Sequence, residues 1–104
     1  GVICPGGFSA DKLRADPKVQ KFIQTLFKQG KLVAHFGHGS WVTLSAGVLK
    51  GKRCTCPPQI RQDLIQWGAI PVSKDAVVDG NLISGNDWGA WSKAVIRWLA
   101  AQKR

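Results

Sequence analysis

A chain of 104 residues with 44% hydrophobic side chains has material for one packed core. It is too apolar for a disordered polymer and too short for a multidomain array. It contains no apolar run near the roughly 18 residues that span a bilayer, which excludes a helical span and leaves no membrane partner expected. Fifteen Lys and Arg against six Asp and no Glu give a net charge of +9, which offers few general bases and points toward polyanions.

Val2-Ile3-Cys4 is a short apolar run broken by Pro5-Gly6-Gly7, the end of a strand followed by a tight turn. Asp16-Pro17 opens a helix with an acidic N-cap and Pro at the first helical position. Val19, Phe22, Ile23, Leu26 and Phe27 then recur at the helical period, with Lys18, Lys21 and Lys28 on the other face and Gly30 as the stop. Residues 31–36 read as a mostly buried strand, cut by Gly37-His38-Gly39. Ser40 is placed to cap a second helix in which Trp41, Leu44, Ser45, Val48 and Leu49 share a stripe, with Gly51 ending it.

Residues 53–56 form a short predicted strand halted by Pro57-Pro58. A third helix is predicted over 59–67 through Ile60, Leu64, Ile65 and Trp67, closed by Gly68. Residues 76–78 and 81–83 flank Asp79-Gly80, a hairpin signal. Asp87 caps a last helix that turns Trp88, Trp91, Val95, Trp98 and Leu99 inward. Short apolar strands alternating with amphipathic helices predict an α/β layered fold with a largely parallel sheet.

Cys4, Cys54 and Cys56 are odd in number and have no zinc-type spacing. Reduced, partly buried thiols are expected, with no metal and no cofactor, in an intracellular compartment, cytoplasmic or organellar. His35 falls on the second strand, where packing in a core or interface is its expected role. Lys50, Lys52 and Arg53 are the closest cationic group and the candidate contact for a polyanion. Five Trp in so short a chain raise the prospect of a docking face as well as a core.

Four landmarks, in order, resemble the ThiJ/PfpI family of the class I glutamine-amidotransferase-like superfamily. They are Pro5-Gly6-Gly7 followed by Leu13-Arg14 and Asp16-Pro17; Gly30-Lys31 leading to His38-Gly39; Ser45 to Lys52 with Thr55 soon after; and Asp63-Leu64-Ile65, Gly68-Ala69 and Val77 to Ser84. The resemblance implies one partial domain over 1–104, a flavodoxin-like three-layer sandwich whose N-terminal strands would come from elsewhere. A homo-oligomer or a second chain supplying those strands is the partner it implies.

In that family a nucleophilic cysteine sits on the strand-to-helix turn just before His-Gly, held in a strained backbone conformation and aimed at a helix N-terminus that favours thiolate. Mapped onto this sequence, the resemblance places Gly37 at the nucleophile, His38 beside it, and Gly6 and Gly7 at an oxyanion hole. Gly37 carries no side chain. The loop after Ser84 also departs from the family, because Gly85-Asn86 leads straight to Asp87 without the usual Arg and Pro. Three functions follow: a degenerate, non-catalytic domain within a larger assembly; an active cysteine-dependent amidase, protease or deglycase using a displaced thiol such as Cys4 or Cys56, or one altered at Gly37; or a basic nucleic-acid-associated module.

Overall fold

The computed structural model describes residues 1–4 and 12–102. Strand β1 (Val2–Cys4) is followed by α1 (Pro17–Lys28), β2 (Val33–Phe36) and, after a single 3-10 turn at Gly37–Gly39, by α2 (Ser40–Ser45). Next come β3 (Arg53–Cys54), a 3-10 turn at Pro58–Ile60, α3 (Arg61–Gln66), β4 (Ile70–Pro71), β5 (Ala76–Asp79), β6 (Leu82–Gly85) and α4 (Trp88–Ala101). The main sheet has the order β1-β2-β6-β5. Its first three strands are parallel and β5 joins β6 antiparallel. Strands β3 and β4 form a separate parallel pair. The predicted α/β fold with a largely parallel sheet is the observed one.

Alternation along the strands sends successive residues to opposite faces. Val33 and Leu82 enter the larger core with Ile23 of α1, Val42 and Leu44 of α2 and Leu64 of α3. Ala34 and Ile83 enter a smaller core with Trp91 and Val95 of α4. The sheet therefore lies between α1, α2 and α3 on one side and α4 on the other. Each fully buried Ile or Leu contributes about 1.5–3 kcal/mol relative to exposure. Among the described residues, no helix is long and apolar enough to cross a membrane.

Two caps, Asp16 and Asp87, fall where the sequence places them. Asp16 accepts the Lys18 N–H at 2.9 Å and Asp87 accepts the Ala90 N–H at 2.9 Å. Several sequence expectations are corrected. The second helix ends at Ser45, well before Gly51. Gly47 takes φ +77°, and its N–H bonds Leu44 O while that of Val48 bonds Thr43 O, the two bonds of a Schellman stop. Strand β3 covers only Arg53–Cys54 of the expected 53–56, because the Thr55 N–H bonds the Ser84 hydroxyl (2.9 Å) rather than a ladder carbonyl. The hairpin register pairs Asp79 with Leu82, so the turn is Gly80-Asn81, one residue later than the Asp79-Gly80 signal.

Side-chain orientation departs from the expected stripes at five places. Phe22, Ile65, Trp67, Trp88 and Leu99 are all exposed rather than inward. The helices bearing them each cover a narrow strip of sheet or neighbouring helix, and the outer flank of an apolar stripe has nothing described to bury it. The three thiols are free and buried, Cys54 completely and Cys4 and Cys56 nearly so.

Candidate functional site

The junction between β2 and α2 is a sharp reversal. Phe36 is extended (φ −129°, ψ 132°), Gly37 swings to φ +55°, and the chain then turns through one 3-10 unit into α2. A residue with a side chain adopts that left-handed region only at a cost of roughly 1–2 kcal/mol, which Gly37 avoids. A β-carbon built on Gly37 would meet no atom of the described residues within 4 Å. The conformation calls for glycine, but the described residues leave open space where a reactive side chain would stand.

Around this elbow the described side chains are mainly aromatic and cationic. His38, half-buried, meets the Trp41 ring edge-on at 5.1 Å. Arg14 lies over the same indole at 5.2 Å and donates from Nε to the Ser45 hydroxyl at 3.1 Å. The Ser40 hydroxyl turns back to donate to Gly37 O at 3.0 Å; it closes the 3-10 turn rather than capping α2, as the sequence had suggested. On the other face, Phe36 stacks on Trp88 with centroids 4.0 Å apart and packs at 5.4 Å against Trp91.

Beneath the elbow lies a buried polar layer. His35 is wholly buried, with Nδ1 2.8 Å from the Thr43 hydroxyl, which in turn donates to Ser40 O at 3.0 Å. The ring's tautomer sets which of Nδ1 and the Thr43 hydroxyl donates. Among the described residues, Nε2 has no hydrogen-bond partner. Desolvation pulls the His35 pKa down to about 4, and the Thr55 backbone works against that shift. The expectation of core packing for His35 is met. Its bond to Thr43, eight residues on, had no sequence signal.

Cys4 pairs with His35 in the β1–β2 register, two residues before the elbow. The Gly6 and Gly7 positions, assigned to an oxyanion hole, lie outside the described residues. Cys56 sits elsewhere. It lines a pocket of about 270 Å³ with Thr55, Pro58, Arg61, Lys74 and Asn86, and neither Gly37 nor His38 borders that space. Asn86 shapes its wall by donating to Cys56 O at 2.6 Å and Thr55 Oγ1 at 3.2 Å. Burial pushes the Cys4 thiol up to about 11. Burial, with Cys56 and Asp79 adding to it, pushes Cys54 up to about 12. Burial also raises Cys56, although Arg61 works against it. A nucleophilic thiol needs the opposite environment. Among the described residues, no three His, Cys, Asp or Glu side chains are grouped to hold a metal ion.

Relatives give this elbow its context. A deglycase of Pyrococcus abyssi is 36% identical over 101 residues, which span 94% of this chain and 61% of that protein. The deglycase PfpI of Pyrococcus furiosus is 35% identical over the same shares. The chain thus spans less than two thirds of the length of these relatives. Among solved structures, a two-domain protein from Anabaena variabilis with DJ-1/ThiJ/PfpI-like and ferritin-like domains is 36% identical and superposes with a TM-score of 0.92. That match covers 95% of this chain and 29% of the other. The sequence profile of the DJ-1/PfpI family matches residues 1–99, and with this agreement in fold and sequence the chain belongs to the DJ-1/PfpI family.

Proposed function

We propose that this chain is a DJ-1/PfpI domain that keeps the strand-to-helix elbow but has lost covalent catalysis, and that it works as a non-catalytic subunit of a larger assembly. The observation that carries this reading is Gly37: φ +55° with open space at its β-carbon position. A β-carbon there meets no described residue, and the position carries no thiol. The relatives named deglycases supply the activity class such a centre would have served. The raised pKa values of Cys4, Cys54 and Cys56 argue against a displaced nucleophile. The assembly part of the reading draws support from β1, which lies at the end of the described sheet order with Ile3 half exposed on it. Such an edge is a template for further strand pairing.

An assay with an α-oxoaldehyde substrate tests the loss of chemistry. No turnover is expected at any pH. Turnover that disappears in Cys4→Ser or Cys56→Ser would restore the enzyme and end this reading. The elbow itself is tested by Gly37→Cys, whose new thiol should alkylate at a pH well below that of an ordinary cysteine. If it titrates like a free thiol, the bend is not a former reaction centre.

A further inference from the structure

Part of the +9 charge and one of the five tryptophans, Trp67, lie away from the elbow, and the structure places them side by side. Residues 50–53 and 67–70 run parallel and are clamped by backbone bonds. The Gly51 N–H donates to Gly68 O at 2.8 Å, the Ile70 N–H donates to Lys52 O at 2.8 Å, and Arg53 pairs with Ile70. Lys50, Arg53, Trp67 and Ile70 are all exposed on this strip, and Trp67 keeps 64% of its surface in solvent. Lys50 and Trp67 also flank a cavity of about 180 Å³ floored by Leu44 and Leu49. Lys52 rests its ammonium 5.4 Å from the Phe27 ring centroid. One acid touches the strip: the Asp79 carboxylate accepts the Arg53 backbone N–H at 2.8 Å. The Lys50 and Arg53 side chains are exposed, while Lys52 is half-buried against Phe27.

We infer that this strip is a docking site for single-stranded nucleic acid, with Lys50 and Arg53 meeting phosphates and Trp67 stacking on an unpaired base. Exposed tryptophan beside cations is the combination that holds single strands, since every base offers a π-face and every linkage a charge. A duplex hides those faces within its stack, so Trp67 would have nothing to grip. A second copy of this chain is disfavoured by charge, because it would bring another +9 against the strip. An acidic peptide satisfies the cations but leaves the indole without a stacking partner.

Fluorescence anisotropy of a labelled oligouridine of roughly 12 nucleotides across a salt series tests the proposal. Binding should weaken as salt rises, with a slope that falls by about 0.7 for each cation removed in Lys50→Ala/Arg53→Ala. Trp67→Ala should weaken binding roughly 5- to 100-fold and leave the salt slope unchanged. Lys18→Ala/Lys21→Ala, which removes two exposed charges from α1, should keep affinity within about twofold and is the control for diffuse attraction to a basic protein. The proposal is overturned if the oligouridine does not bind, if Trp67→Ala binds like the wild type, or if the α1 variant loses as much as the strip variant. It is also overturned if an oligo-aspartate peptide or a duplex of equal length competes as well as the single strand. Thermal melts of each variant confirm that the fold is intact, since all the altered side chains are exposed.

Discussion

Gly37 and Gly85 stand at the carboxyl ends of adjacent parallel strands, one residue apart in register, because Phe36 pairs with Gly85. They are glycines for opposite reasons. Gly37 has a left-handed backbone and, among the described residues, open space at its β-carbon position. Gly85 has no such backbone, but a β-carbon there would lie 2.5 Å from Trp91 Cβ and 2.6 Å from its Cδ1. One position is set by conformation and the other by packing. A position with room to spare and a costly backbone suits a reacting group; a position with no room is structural. The elbow and its neighbour therefore separate function from scaffold by geometry alone.

Three measurements bear on that contrast, taken from the largest effect down. The buried layer below the elbow should respond to pH. His35 has a folded pKa near 4 against about 6.5 unfolded, so the unfolded chain binds the extra proton between those values. Stability is fully present above pH 6.5 and falls as pH drops toward 4, by up to about 3 kcal/mol. Urea midpoints at stepped pH should show this slope, and His35→Gln should flatten it. An unchanged slope in that variant would mean that another group titrates.

Gly85→Ala should cost about 1–3 kcal/mol through overpacking against Trp91. A smaller residue at position 91, as in Trp91→Leu, should recover part of that loss in the double variant, beyond the sum of the single effects. Additive losses would place the strain elsewhere. Gly37→Ala should cost least, about 1 kcal/mol, purely through its backbone. Gly37→Asn should cost less still, since Asn tolerates the left-handed region. If Gly37→Ala is as damaging as Gly85→Ala, the space around the elbow is not open, and the reading of a vacated reaction centre fails with it.

Much of the candidate site could be read from sequence because it is built from short-range signals. Gly37-His38-Gly39 after an apolar strand marks a bend, and Asp16-Pro17 and Asp87 mark helix starts, through atoms within four residues of each other. Less legible were the parts that join distant segments. The His35–Thr43 bond, the placement of Thr55 on Ser84, and the distance in role between Cys56 and the elbow depend on which strands become neighbours. The two thiols suggested as substitutes illustrate this. Their chain positions at strand ends fitted a converging site, yet Cys56 belongs to a separate pocket beside Arg61 and Asn86.

The sequence by itself determined the α/β layering, the caps, the bend at Gly37 and the family resemblance, because hydrophobic period, capping chemistry and glycine conformation act locally along the chain. Tertiary structure alone decided that Trp67 and Trp88 face solvent while Trp91 is sealed under Gly85, and that helix α2 stops at Gly47. It also brought Lys50 and Arg53 alongside Trp67 and Ile70. Burial and pairing are properties of the neighbour across the sheet, and that neighbour is chosen only when the whole core assembles.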